Sequence, residues 1–230
     1  MKIGIIGAME VEVSEIRESM ENVSCEEISG ITYYKGIIDG QEVLLARSGV
    51  GKVHASVCAQ TMILKYSPDV IINTGVAGSL SSKLDIGDLV ISDFVVEHDM
   101  DTSALGDPVG LISGLNIIKI PSSKHVAEMI HNAAKKIENT NVFIGTIASG
   151  DQFICNVNRK NYIVDNFDAL CTEMEGAAIG HVCYLNNVDF CIVRAISDKA
   201  DGTAHMDFPS FVKIAAKKSS KLIHGYLKSL

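Results

Sequence analysis

Two stretches, "VIIN" (70–73) and "FCIVRAI" (190–196), are apolar at nearly every position rather than at every second one. Successive side chains of a strand point to opposite faces, so such runs suit strands buried on both sides, as in a mostly parallel sheet covered by helices. Segments of helical period lie between the strand-like runs. "KIGIIG" reads as a first buried strand, and Met9, Val13, Ile16 and Met20 follow at helical spacing. "ITYYKGIIDGQEVLLARSG" reads as two strands joined at Asp39-Gly40, a dipeptide that tolerates the positive φ of a tight hairpin. "GKVHASVCAQTMILKYS" is helical until Pro68 forbids continuation. Further strands are expected at "DVIINTG", "GDLVISDFVVEH", "NVFIGTIAS" and "DFCIVRAIS". Further helices are expected at "PSSKHVAEMIHNAAKKI" with Ser122 or Ser123 as its cap, at "GAAIGHVCYLNN", and from about Asp207 to Tyr226. The expectation is α/β: one domain over residues 1–230, with a central, mostly parallel mixed sheet flanked by helices.

Composition narrows the function. With 230 residues the chain can bury a core that needs no metal or disulfide. Its formal charge of −8, without clustered Lys and Arg, argues against a nucleic-acid partner. No apolar run approaches a membrane span, and "MKIGIIGAMEVE" meets acids too soon to be a signal peptide, so the expected location is cytoplasmic. The six cysteines show no C-x-x-C spacing and read as reduced thiols, mostly buried.

In open α/β sheets ligands sit beyond the carboxyl ends of the strands. The segments that follow the strands here are polar and glycine-rich: "GAMEVE", "NTGVAGS", "SGDQF", "EMEG" and "RAISDKADG". "GIIGAM" lacks G-x-G-x-x-G, and Glu10 and Glu12 stand where a pyrophosphate needs positive potential, so no dinucleotide cofactor is expected. Taken alone, Glu12 reads first as a structural acid favoured by a helix dipole and only second as a reactive one. "NTGVAGS" reads as an anion cradle or a turn, and Asp198 as a catalytic acid or the start of a solvated turn. His98, Asp99 and Asp101 fall on an extended stretch where neighbours diverge, and no second cluster completes a metal site. His54, His125 and His181 lie in helical patterns and read as structural.

Seven motifs together, "MKIGIIGAMEVEV", "SGVGKVHA", "DVIINTGVAG", "IGDLVISD", "ASGDQFI", "TEMEGAAIGHVC" and "VRAISDKAD", span essentially the whole chain. In order and spacing the chain resembles the bacterial 5'-methylthioadenosine/S-adenosylhomocysteine nucleosidases of the purine and uridine phosphorylase superfamily. The resemblance implies hydrolysis of the N-glycosidic bond of methylthioadenosine, adenosylhomocysteine and 5'-deoxyadenosine, in methionine salvage and the recycling of S-adenosylmethionine by-products, without a cofactor. It implies that Asp198 protonates adenine N7 with support from Arg194 and Ser197, and that Glu12 activates water. It puts the ribose diol on Glu175 beside Met174, with Glu173 in support. Adenine would stack on Phe153, its edge read by the Ile154 backbone. Met9, Val50 and Phe208 would line the 5'-thio pocket, Val76, Ala77 and Gly78 would border the sugar, and Leu105 would reach in from the other subunit of a homodimer.

The chain departs from the family pattern at Val76, where serine is common, and at Leu105, Asp107 and Ser113. These departures bear on substrate preference. The rival readings are a phosphate-dependent nucleoside phosphorylase, a futalosine-type hydrolase and a non-catalytic nucleoside binder. Glu12 opposes the first, because a carboxylate at the attacking position repels phosphate. The pair Glu12 and Asp198 opposes the last.

Overall fold

The structure is a computed structural model and describes residues 1–230 apart from the side chain of Met206. In chain order the elements are β1 (Lys2–Gly7), α1 (Glu10–Glu18), β2 (Glu21–Ile28), β3 (Ile31–Ile38), β4 (Gln41–Arg47), α2 (Lys52–Tyr66), β5 (Val70–Ser79), β6 (Leu89–Glu97), β7 (Ile120–Pro121), α3 (Lys124–Ala134), β8 (Val142–Ser149), α4 (Val157–Phe167), β9 (Ala169–Glu173), α5 (Gly176–Asn186), β10 (Asp189–Asp198) and α6 (Ala204–Leu227). All ten strands join one mixed sheet in the order β10-β6-β8-β9-β5-β1-β4-β3-β2, with β7 on β6. Because β10 also pairs with β5, the strands β5, β10, β6, β8 and β9 close on themselves, and β1 to β4 extend from that ring.

The continuous apolar strands behave as their composition requires. Ile3, Ile5, Val43, Leu45, Val70 and Ile72 pack on one face with Val13 and Ile16 of α1, Ile130 of α3 and Leu222 of α6. Their neighbours Ile6, Leu44, Ala46 and Ile71 pack on the other with Ala55 and Met62 of α2 and Ile179 of α5. A smaller cluster holds Ile163 and Phe167 of α4 against Ala148 and Ala169. Burial on both faces removes the strand alternation from the sequence and fixes which strands are central.

Several local readings are corrected. "NTGVAGS" is neither turn nor cradle: it is the second half of β5, fully buried. Ser123 occupies the cap position of α3 without a side-chain cap bond, and Ser122 instead bonds Ser92, Oγ to Oγ, at 2.6 Å. α6 begins at Ala204, earlier than Asp207. β2 and α4 are elements the sequence reading did not assign. β2 is an edge strand exposed along nearly its whole length, so it carries no apolar signal. α4 did carry one, since the Asn156 side chain accepts from the amides of Asn158 and Arg159 as an N-cap. Cys25 and Cys155 are exposed, while the other four cysteines are buried, and all six are free. Among the described residues no helix is long and apolar enough to cross a membrane.

Candidate active site

The carboxyl ends of β1, β5, β9 and β10 meet at a cavity of about 290 Å³. Its wall gathers Met9, Glu12, Val50, Val76, Ala77, Gly78, Phe153, Glu173, Met174, Glu175, Ser197, Asp198 and Phe208 from among the residues that the sequence singled out. Ile154 lies in an adjoining recess with Gly78, Phe153 and Asp198. Two further residues, Ala8 and Thr172, line the cavity and were not anticipated, although each immediately precedes a residue that was. Thr172 keeps a buried hydroxyl without a protein partner. Arg194 does not line the cavity, and Leu105 stands 84% exposed on a short 3-10 turn, Ser103–Leu105.

Glu12 takes its place from the start of α1. At the third position after the Met9 cap, its Oε2 accepts from the amides of Ala8 and Met9, each at 2.8 Å, closing one half of a capping box. Its Oε1 accepts from the Val76 amide of β5 at 3.1 Å. The two readings of Glu12, helix start and reactive acid, are therefore not alternatives: the helix start is what aims the carboxylate. Burial raises its pKa against the opposing pull of Arg194 and of these amides.

Asp198 ends β10 just after a register shift between Ile196 and Asp198 in the ladder with β5, the kind of irregularity that re-aims a side chain. Ser197 donates to its Oδ2 and the Ala200 amide to its Oδ1, both at 2.9 Å. Burial again raises the pKa. The glycines of "NTGVAG" make room for both acids. A Cβ at Gly75 would stand 2.5 Å from Glu12 Oε1, and one at Gly78 would stand 2.7 Å from Asp198 Oδ1. Any larger residue at either position displaces a carboxylate.

The opening of α5 holds the other two acids. Glu173 accepts from the amides of Glu175 and Gly176, from Ser149 Oγ and from Arg194 Nη2. Burial would raise its pKa, but the Arg194 charge and these hydrogen bonds hold it below the ordinary range. Arg194 is thus the partner of Glu173 and of the Asn73 side chain, with Glu175 at 4.0 Å, and makes no contact with Asp198. That corrects its expected place: Ser197 supports Asp198, whereas Arg194 sits behind Glu173 and Glu175. Glu175 accepts from the Gly51 amide at 2.8 Å, and burial together with the Glu173 charge pushes its pKa up to about 8. It therefore holds a proton near neutrality unless further donors favour its charged form, which qualifies the expectation of an ionised acceptor. Next to Gly51, the Lys52 amide donates to Asp151 Oδ1 at 2.7 Å, and this ties the segment bearing Val50 to the one bearing Phe153. The Phe153 ring meets Phe208 edge-on, with centroids 5.7 Å apart.

Among the described residues the cavity wall offers four carboxyl groups, an aromatic pair and no lysine or arginine. Among the described residues no group of three His, Cys, Asp or Glu is arranged to hold a metal ion.

Known proteins share this architecture. The family model described as the phosphorylase superfamily matches residues 2–228. The 5'-methylthioadenosine/S-adenosylhomocysteine nucleosidase of Shewanella halifaxensis is 42% identical over 231 residues, covering 100% of both chains. That of Staphylococcus carnosus is 42% identical over 229 residues, covering 99% of this chain and 100% of its own. Among solved structures, the nucleosidase of the same name from Neisseria meningitidis, in complex with methylthio-immucillin-A, superposes with a TM-score of 0.96 at 36% identity, covering 100% of this chain and 99% of the other. The futalosine hydrolase of Helicobacter pylori superposes with a TM-score of 0.95 at 35% identity, covering 100% and 98%. Full-length identity to these relatives, on a shared fold, shows that the chain belongs to the phosphorylase superfamily, among the 5'-methylthioadenosine/S-adenosylhomocysteine nucleosidases.

Proposed function

We propose that this enzyme hydrolyses the N-glycosidic bond of 5'-methylthioadenosine and S-adenosylhomocysteine, and of 5'-deoxyadenosine, releasing adenine and the 5'-substituted ribose. The observation that carries the reading is the pair of buried carboxyl groups, Glu12 of α1 and Asp198 of β10, which line one cavity and are each held beside the end of β5. Inverting glycosidases likewise use one carboxyl as the acid and a second as the base that activates water on the far side of the sugar.

Cleavage sends the C1'–N9 electron pair onto adenine, and Asp198, whose raised pKa favours the protonated form, delivers a proton to N7 as that charge develops. On the opposite side Glu12 takes a proton from water as the water oxygen bonds C1'. The raised pKa of Glu12 makes it a stronger base than an exposed carboxylate, and the three amides fix its direction. Glu175 receives the 2'- and 3'-hydroxyls; each O–H it accepts favours its ionised form and adds negative charge beside the developing oxocarbenium. Phe153 stacks on adenine, and Met9, Val50 and Phe208 receive the 5'-thio substituent.

Phosphorolysis fits poorly. Phosphate needs cationic donors, whereas the cavity wall has none and Arg194 is engaged with Glu173. The test is adenine release from methylthioadenosine in phosphate-free buffer: methylthioribose should be the second product, and added phosphate should not raise the rate. Formation of methylthioribose-1-phosphate, or a rate that vanishes without phosphate, would refute the hydrolase reading. Futalosine belongs in the same substrate panel.

The proposal includes a cytoplasmic homodimer. Six free cysteines suit a reducing compartment. Leu105, exposed Val53, Val57 and Leu64 of α2, and Leu185 of α5 leave apolar surface that a second copy would cover, with Leu105 reaching the partner's 5'-thio pocket. A fully active monomer in sedimentation would exclude that arrangement.

A further inference from the structure

Beyond Met9 and Val50, where the apolar end of the cavity stops, a second and wholly different cavity begins. Its volume is about 600 Å³, and it shares Ala8, Met9 and Val50 with the first, so the two are continuous across those residues. Its other walls bring in the polar Glu10, Arg47, Ser48 and His54, beside Ile31 and the Ser29-Gly30 turn between β2 and β3. The fold sets this arrangement. Arg47 is the last residue of β4 and lies opposite Gly7 of β1, while the next residues, Ser48 and Gly49, bond the carbonyls of Gly7 and Ala8. Glu10 opens α1 directly after Met9. An arginine and a glutamate are therefore fixed at the ends of β4 and β1, and the end of β1 also borders the first cavity.

Their pairing leaves unused capacity. Glu10 is held at 2.7 Å by Arg17, whereas Arg47 reaches it only at 3.5 Å. Two guanidinium groups face one carboxylate. The set has one positive charge in excess, so a ligand carboxylate would pair with the loosely held Arg47, and an ammonium on the same ligand would share Glu10. We infer that this second cavity is the subsite for an α-amino-carboxylate group at the end of a long 5'-thio substituent, as in S-adenosylhomocysteine. The inference rests on the nucleosidase reading, which places the 5'-sulfur against Met9 and Val50. Two methylenes separate that sulfur from the α-carbon of the homocysteine tail, and the zwitterion at its end cannot be desolvated against Phe208 and Val50 without partners. The polar cavity past Met9 supplies them, whereas the methyl of methylthioadenosine ends before reaching it.

The experiment compares three substrates: S-adenosylhomocysteine, methylthioadenosine, and 5'-butylthioadenosine, whose tail is long and uncharged. Arg47 is largely exposed, so Arg47→Gln and Arg47→Glu should fold. The ratio of kcat/KM for S-adenosylhomocysteine to that for butylthioadenosine should fall about threefold in Arg47→Gln, and further in Arg47→Glu. In the wild type the same ratio should decline as salt rises, since the contact is partly exposed. Equal losses on all three substrates would make Arg47 a structural residue, and an unchanged ratio would leave the tail in solvent; either result overturns the subsite. Absence of adenine release by the wild type from any of the three defeats the nucleosidase reading itself and takes the subsite with it.

Discussion

The two sides of the cavity handle buried carboxyl groups in different ways. On the side proposed for the ribose, one buried guanidinium, Arg194, faces Glu12, Glu173 and Glu175. Glu173 takes the direct contact and stays ionised, while Glu12 and Glu175 feel the cation from farther away and are raised. On the side proposed for adenine, Asp198 is held among the described residues by the Ser197 hydroxyl and the Ala200 amide, with no ion pair, and Asp201 and Asp207 add like charge. The first side can stabilise positive charge on a sugar. The second keeps a proton available. The same burial thus yields an electrostatic field on one side and an acid on the other, according to which carboxylate the buried Arg194 contacts.

Removing that cation should have the largest effect. Arg194→Met leaves Glu173 buried without its partner and should lower unfolding free energy by about 3–5 kcal/mol, measured by denaturant titration. Adding Glu173→Gln should recover part of the loss. Asp198→Asn, which removes no pair, should leave stability unchanged or raise it. If both variants lost stability equally, the contrast between the two sides would be wrong.

Next come the reacting acids. Glu12→Gln and Asp198→Asn should each lower kcat at least about a hundredfold, with far-ultraviolet circular dichroism unchanged. Because a base fails when protonated and an acid fails when ionised, whatever activity remains should lose the acidic limb of its pH profile in Glu12→Gln and the alkaline limb in Asp198→Asn. Exchange of those limbs between the variants would reverse the two roles.

What the sequence made legible follows the range of the interactions. Glu12 and Asp198 read alone as a helix-start acid and a turn residue, and only the family resemblance gave them roles; their local partners Ala8, Met9 and Ser197 explain how each is held. The central strands were legible because burial on both faces is written in consecutive residues. Arg194 was misplaced because its partners Asn73 and Glu173 come from other strands, and no local pattern states which of two nearby acids it will meet. "NTGVAG" was misread because glycine usually marks a turn, whereas Gly75 and Gly78 lie within a strand to admit side chains from α1 and β10. β2 left no signal, having no buried face to encode.

That reading of the glycines supplies a smaller test. Gly75→Ala pushes on Glu12 and Gly78→Ala on Asp198, at contacts closer than side chains tolerate. Each should lower kcat about tenfold, the scale for moving rather than deleting a catalytic group. Gly75→Ala should shift the acidic limb of the pH profile and Gly78→Ala the alkaline one. Full activity in either would show that its carboxylate can move aside without consequence.

The last test concerns Glu175, and its sign follows from linkage. Its carboxyl is pushed from an ordinary value of 4.5 up to about 8 in the folded protein. Below pH 4.5 both folded and unfolded chains hold the proton, so the group makes no pH-dependent demand. Between pH 4.5 and about 8 the unfolded chain has lost the proton and the folded one retains it, so stability falls as pH rises through this window. Glutamine keeps the shape and never ionises. Glu175→Gln should therefore melt close to the wild type at pH 4.5 and progressively above it toward pH 8. Each kcal/mol of difference corresponds to about 2–4 °C in a domain of this size. Glu173→Gln should give the opposite trend, because its depressed pKa stabilises the fold as it ionises, so that its deficit opens as pH rises through the carboxylate range. A melting difference for Glu175→Gln that stays flat from pH 4.5 to 8 would mean that Arg194 serves both glutamates equally, and the ribose side would hold two anions and no reserve proton.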